Sequence, residues 1–199
     1  MKILIGTKNK GKLAEIKNIL NNDINIISLN DLEEVAEPIE DGNNFYENAL
    51  IKAKYYYEQF NIPVISDDSG LCCVGLDNKP GLLTARYAST NGLDSSSIDN
   101  YTKLLNDLKD IKNRKAYFVC EMVFYDGKNI IHTKGKMHGA IAYEPSGNHG
   151  FGYDPIFYVK KYHTTLANLD EDIKNNISHR AKALNKLKHK LDKYYINKK

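Results

Sequence analysis

The opening stretch, MKILIGTKNKGKLAEIKNIL (residues 1–20), decides the fold class. Lys2 to Thr7 is a short apolar run with a glycine exit, and Leu13, Ile16, Ile19 and Leu20 then recur at helical spacing. That pattern predicts a strand, a tight loop and a helix, the start of an α/β fold. Outward from it, Asn25 to Leu29 reads as a second strand, followed by an acidic connection from Glu33 to Asn44 that contains Pro and Gly. A helix is predicted over 44–60, with Phe45, Ala49, Ala53 and Tyr56 on one face. Val64 to Ser66 follows as a strand ending in the polar cluster Asp67-Asp68-Ser69-Gly70, then Leu71 to Leu76 as a separate strand and Asn78 to Asn91 as a long loop. Ser95 is placed to cap a helix that runs through Leu108.

The second half changes period. Lys115 to Tyr125 alternates Ala116, Phe118, Cys120, Met122 and Phe124 on one face, Asp126-Gly127 makes a turn, and Asn129 to Tyr143 pairs back as a hairpin. Ser178 caps a last helix with Ala181, Leu184, Leu187 and Leu191 along its apolar stripe, and a basic tail reads as a solvated end. The expected architecture is a mixed, twisted central sheet with flanking helices, a single domain over 1–199 with two lobes around a cleft.

Composition narrows the function classes. The 199 residues are 42% apolar, and 28 basic against 25 acidic side chains leave a net charge of +3. Collagen, coiled-coil and disordered classes do not fit, and the basic excess that non-specific nucleic-acid binding needs is missing. No apolar run approaches the ~20 residues of a membrane span, and the start is too short and charged for a signal peptide. The expected location is the cytoplasm, with neither nucleic acid nor membrane as partner. Cys72, Cys73 and Cys120 leave an odd thiol, and adjacent strand cysteines point to opposite faces, so buried free thiols are expected.

Four segments carry chemistry. Thr7-Lys8-Asn9-Lys10-Gly11-Lys12 sits between strand and helix, where backbone N–H groups and the helix dipole favour an anion such as phosphate. A solvated basic loop has the same composition. From Gly6 the stretch also satisfies G-x-x-x-x-G-K, the phosphate loop of P-loop NTPases, but the next residue is Leu13, which has no hydroxyl for the metal. Asp67-Asp68 places two carboxylates together, which repel unless a cation or proton relieves them, and magnesium suits one or two carboxylates plus phosphate oxygens. An Asp-rich turn is the competing reading. Glu40 offers a second metal carboxylate. Phe151-Gly152-Tyr153-Asp154 puts two aromatic rings beside an acceptor, suited to a purine unless the rings are core. Ser178-His179-Arg180 brings donors to a helix start, fit for a phosphate or a base carbonyl, or equally for an ordinary surface cap.

Together with Glu40-Asp41-Gly42, Phe45-Tyr46-Glu47-Asn48-Ala49, Pro80-Gly81 and Ala85-Arg86-Tyr87, these segments, in this order, resemble the inosine triphosphate pyrophosphatase family, the Ham1-like non-standard purine NTP pyrophosphatases. The resemblance spans nearly the whole chain. It implies an ITPase-like fold and hydrolysis of ITP, dITP and XTP to the monophosphate and pyrophosphate in a homodimer that uses Mg2+. It implies Glu40 and Asp68 as metal carboxylates, with Asp68 also the proton acceptor. Thr7, Lys8, Asn9, Lys10, Gly11 and Lys12 would grip the triphosphate, and Ser69, Lys174, His179 and Arg180 would contact the nucleotide. Phe151, Gly152, Tyr153 and Asp154 would hold and read the base. Asp67 and Lys52 would tune the metal or the phosphates. Three residues depart from the usual pattern: Lys8 and His149 where Gly is frequent, and Asn168 where Glu is frequent, which removes an expected salt link.

Overall fold

In the computed structural model, which describes residues 2–20 and 25–196, the opening stretch folds as its pattern demands. β1 (Lys2–Ile5) is followed by α1 (Lys10–Leu20), and β2 (Asn25–Ser28) runs parallel to β1. α2 (Phe45–Phe60) begins at Asn44, whose side chain accepts from Glu47 N, and ends at Asn61 in the left-handed conformation (φ 52°). β3 (Val64–Cys73) then pairs with β1, again parallel.

Two compact units are built from this chain: Met1–Asp68, Cys120–Gly135 and Ser178–Lys199 make the first, Ser69–Val119 and Lys136–Ile177 the second. The first takes the inner parts of β5 (Lys115–Tyr125) and β6 (Ile130–Ile141) and has the strand order β2-β1-β3-β5-β6. Strand period two divides its core into layers. Ile3, Ile5, Ile65, Cys120, Met122 and Phe124 pack on α1 and on α5 (His179–Ile196), whereas Leu4, Val64 and Val123 pack on Ala49, Ala53 and Tyr56 of α2. A Cβ on Gly6 would stand 3.0 Å from the Tyr56 ring, so the glycine exit of β1 lets α2 lie close to the strand.

The second unit is antiparallel where it adds strands of its own. β4 (Lys79–Pro80) pairs with β3, and β7 (Phe157–Val159) joins β6 to β8 (Thr164–Thr165). Its core gathers Leu71, Cys73, Phe118, Met137, Ile141, Ile156 and Phe157 with Leu104 and Leu108, the first from α3 (Ser97–Asp107). Parallel and antiparallel pairings with helices on both faces make the sheet mixed, as expected. No helix among the described residues is long and apolar enough to cross a membrane.

Several local expectations are corrected. β3 does not stop at Ser66: Asp67 to Gly70 lie inside one strand of 10 residues, continuous with the segment expected as a separate strand. The reason is that both carboxylates meet cations within the fold, so no turn is needed to carry them to solvent. Ser96, not Ser95, caps α3 through Asp99 N. The loop over 78–91 contains β4 and a 3-10 segment, Gly81–Arg86. A short helix, α4 (Glu171–Ile177), precedes α5 without having been expected. Ser178 caps α5 as expected, accepting from Ala181 N at 3.0 Å. α5 reaches Ile196, and residues 197–199 of the expected basic tail lie outside the described residues. All three cysteines are buried and none is in a disulfide.

Candidate functional site

The loop between β1 and α1 is shaped by its own side chains. Thr7 Oγ1 accepts from Asn9 N (3.2 Å) and Asn9 Oδ1 from Lys12 N (3.1 Å), so Asn9 caps the helix. Lys8, Asn9 and Lys10 are exposed. Lys8 forms a 3.5 Å ion pair with Glu37 of the acidic connection. Lys12 turns inward, 3.2 Å from Asp67.

Asp67 and Asp68 each meet cations of the protein itself. The period that separates Cys72 from Cys73 also separates the two aspartates. Asp67 is buried (1% exposed), and its Oδ2 gathers Lys12 Nζ, Arg180 Nε (3.4 Å) and the Cys120 thiol (3.7 Å). Burial raises its pKa, but Lys12, Arg180 and Lys52 outweigh that, and the carboxyl lies well below its usual range. Asp68 looks to α2: Asn48 Nδ2 donates to its Oδ2 (3.1 Å), and Lys52 Nζ stands 3.8 Å from Oδ1 and 2.8 Å from Glu40 Oε2. For Asp68 burial wins, with Glu40 adding to it against Lys52 and Lys12, and the pKa is raised. Burial lowers that of Lys52, yet Asp68, Glu40 and Asp67 carry it above the ordinary lysine value, so it stays charged.

Glu40 is brought to this place by two contacts. Lys52 holds its carboxylate, and Gly42 N donates to Asn48 Oδ1 (2.8 Å), the other end of the amide that holds Asp68. A Cβ on Gly42 would fall 2.7 Å from Asn48 Oδ1 and from Glu47 Cβ. Only glycine therefore lets the acidic connection dock here.

Arg180 is fully buried (1% exposed), with its guanidinium committed to Glu15 through Nη1 and to Asp67 through Nε. Arg180, expected to contact the nucleotide, makes these two contacts within the first unit. His179 opens α5 half-buried. Ser69, half-buried, begins the second unit.

The remaining expected residues belong to that second unit. Asp154 Oδ2 accepts from Phe151 N (2.9 Å) and from Lys174 Nζ (2.6 Å), and the same ammonium lies 4.6 Å from the Phe151 ring centroid. Gly152 takes a positive φ of 62° beside them. Phe151 is 40% exposed, but the Tyr153 ring is in the core at 3%, its hydroxyl donating to Thr84 O (2.9 Å). Of the two rings expected beside the acceptor, only Phe151 has an accessible face.

Asn48, Glu15 and Cys120 were missed as site residues. Asn48 stands one turn before Lys52, a spacing that puts both on one helix face and could have flagged it. Glu15 and Cys120 gave no such signal, because their partners are distant in sequence.

The fit of magnesium rests on the donor set. Among the described residues no group of three or more His, Cys, Asp or Glu forms a metal cluster. Glu40 and Asp68, both drawn to the Lys52 ammonium, match an ion that takes one or two carboxylates and fills its shell with water and phosphate oxygens. Asp67 Oδ1 is buried with no hydrogen-bond partner. The residues present fit the ion.

Comparison with known proteins assigns the family. The sequence model of the Ham1 family matches residues 3–190. The chain belongs to the Ham1 family. It is 44% identical over 201 residues to the dITP/XTP pyrophosphatase of Clostridium tetani, covering 98% of each chain, and 42% identical to the protein of that name from Aquifex aeolicus, covering 96% of each. The Ham1 protein of Staphylococcus aureus superposes with a TM-score of 0.87 at 38% identity, covering 98% of this chain and 100% of its own. A Ham1 protein from Coxiella burnetii gives 0.86 at 35%, covering 97% and 99%. Asn168, read from the sequence as a departure from the family pattern, donates through Nδ2 to Ser146 Oγ and Thr165 Oγ1, both at 2.9 Å. His149 is held through its backbone N–H, which donates to Ala167 O at 3.0 Å.

Proposed function

We propose that this Ham1 protein is a cytoplasmic, magnesium-dependent pyrophosphohydrolase that converts ITP, dITP and XTP to the monophosphate and pyrophosphate, removing deaminated purines from nucleotide pools, and that it works as a homodimer. One observation carries the reading: Lys12, at an anion-ready helix start, and Lys52 of α2 share their ion pairs with the carboxylates Asp67, Asp68 and Glu40. A triphosphate needs cations, and its metal needs two carboxylates.

Glu40 and Asp68 hold the magnesium, which when bound neutralises the phosphate oxygens. Lys12, with Lys8, Lys10 and the backbone of Thr7 to Gly11, holds the triphosphate. Asp68, oriented by Asn48, takes a proton from the attacking water. The new bond joins that water oxygen to the α-phosphorus, and the bond to the bridging α–β oxygen breaks, releasing pyrophosphate. Ser69 contacts the nucleotide. Phe151 offers its open face to the purine, and Gly152 and Tyr153 keep it there through the backbone turn. Asp154 and Lys174 fix that turn and face the base, while His179 donates to its 6-oxo group. Adenine presents an amino donor at that position and is discriminated against.

A P-loop NTPase or kinase is the weaker reading, because Leu13 carries no hydroxyl for a metal. Phosphorus NMR of an ITP digest decides between them. IMP and pyrophosphate are expected as first products, and IDP with orthophosphate would overturn the proposal. Light scattering tests the dimer.

A further inference from the structure

Asp67 has no place in the chemistry above, yet among the described residues it is the most enclosed carboxylate of the first unit. Two cations from different helices converge on its single oxygen Oδ2, Lys12 of α1 at 3.2 Å and Arg180 of α5 at 3.4 Å. The Arg180 side chain is 2% exposed and that of Asp67 0%, whereas Lys12 keeps 15%. Lys12 is thus the member of the group that reaches solvent. Glu15 engages the other end of Arg180, and with Lys12 and Asp67 the group holds two positive and two negative charges. Remove the Asp67 charge and Lys12 is left beside a guanidinium that cannot move away. Like charges at that separation repel strongly where water is excluded.

We infer that Asp67 is a positioning residue: fixed inside β3, its carboxylate holds the Lys12 ammonium at the start of α1, beside Arg180, so that the remaining ammonium hydrogens are aimed at a polyphosphate. The inference rests on the triphosphate reading of the β1–α1 loop. A free lysine gives up rotamer freedom when it meets a phosphate. A lysine already tethered to a buried carboxylate has lost it on folding. One ammonium hydrogen serves Asp67, and two are left for the ligand. Asp67 therefore acts on ligand binding through Lys12, and not on the water that Asp68 activates.

The test is titration calorimetry of inorganic tripolyphosphate into the full chain, for the unsubstituted protein, Asp67→Asn, Lys12→Met and the double variant. Each single substitution is expected to weaken binding about tenfold or more, the scale of one charge-assisted hydrogen bond, and the double variant to be no weaker than the worse single one. In turnover, Asp67→Asn should raise KM for the nucleotide more than it lowers kcat. Unchanged binding in Asp67→Asn, or losses that multiply in the double variant, overturns the inference. Should Asp67→Asn fail to fold, Asp67→Glu keeps the charge, and the unsubstituted protein supplies a second readout. In a lysine-selective NMR spectrum the Lys12 Nζ signal should exchange more slowly than that of exposed Lys10, and equal exchange overturns the inference. Coupled binding without pyrophosphate release from ITP would sink the enzymatic reading alone, and pyrophosphate release without coupling would sink this inference alone.

Discussion

Single side chains separate the roles within the site. Asp68→Asn keeps the volume and the Asn48 contact but removes the proton acceptor, so kcat for ITP is expected to fall more than ~100-fold in a protein with unchanged circular dichroism. A near-normal kcat in the folded variant would mean that another group activates the water. His179 and Arg180, neighbours in sequence, should behave differently. Arg180→Ala strands Glu15 and Asp67 without their shared cation, and losing one partner of a buried ion pair costs about 3–5 kcal/mol. A clear drop in Tm is expected, with kcat/KM falling alike for ITP, XTP, GTP and ATP. His179→Ala should instead lower kcat/KM for ITP and XTP by roughly 1.5–3 kcal/mol and spare ATP, which already lacks that contact. Equal losses on all four nucleotides for His179→Ala would remove it from base reading.

Elements place those residues, and much of that placement was legible. The helical spacing in 1–20, the face of α2 and the hairpin about Asp126-Gly127 each follow from a period that burial enforces. Asp67 to Gly70 misled because three polar residues and a glycine in a row carry a turn's composition. What makes them strand is a set of cations from α1, α2 and α5, and no local pattern reports a partner that far along the chain. Tyr153 misled for the same reason: beside Phe151 it looks like a second stacking ring, until Thr84 takes its hydroxyl and the core takes its ring. Gly42 shows the converse, a residue quoted for its motif whose purpose emerges only at the Asn48 contact. Gly42→Ala is therefore expected to act at a distance, pushing the acidic connection off the start of α2 and turning the Asn48 amide away from Asp68. Activity should fall, with KM for magnesium raised, while Tm changes little. Unaltered magnesium dependence would show that the connection docks without this contact.

At the scale of the whole molecule, acid stability follows from which carboxylates the fold holds ionised. Asp67 is buried, which raises its pKa, and is brought far below its usual range by Lys12, Arg180 and Lys52. Asp126, partly desolvated, is brought down by the Tyr194 hydroxyl (2.6 Å) and the N–H groups of Asn129 and Lys128, which fasten the β5–β6 turn to the last helix. In the second unit, Asp107 is lowered against its own desolvation by the Tyr87 hydroxyl and Lys103. A carboxyl whose folded pKa is depressed gives its stability in full above the unfolded value, near 4, and loses it as pH falls through the folded one. Asp68, raised, has the opposite sign and offsets part of the loss. With Asp31 and Glu47, also lowered by hydrogen bonds from their neighbours, five depressed carboxyls against one raised one predict a Tm that holds from neutral pH down to about 5 and then declines as the pH is lowered further. Asp126→Asn isolates one contribution: the advantage of the unsubstituted protein over this variant, read from urea midpoints, should be full at pH 6 and shrink below about pH 4, where the unfolded chain takes up the proton. An advantage that stays constant down to pH 3 would mean that the turn is held by shape and hydrogen-bond count, with the Asp126 charge contributing nothing.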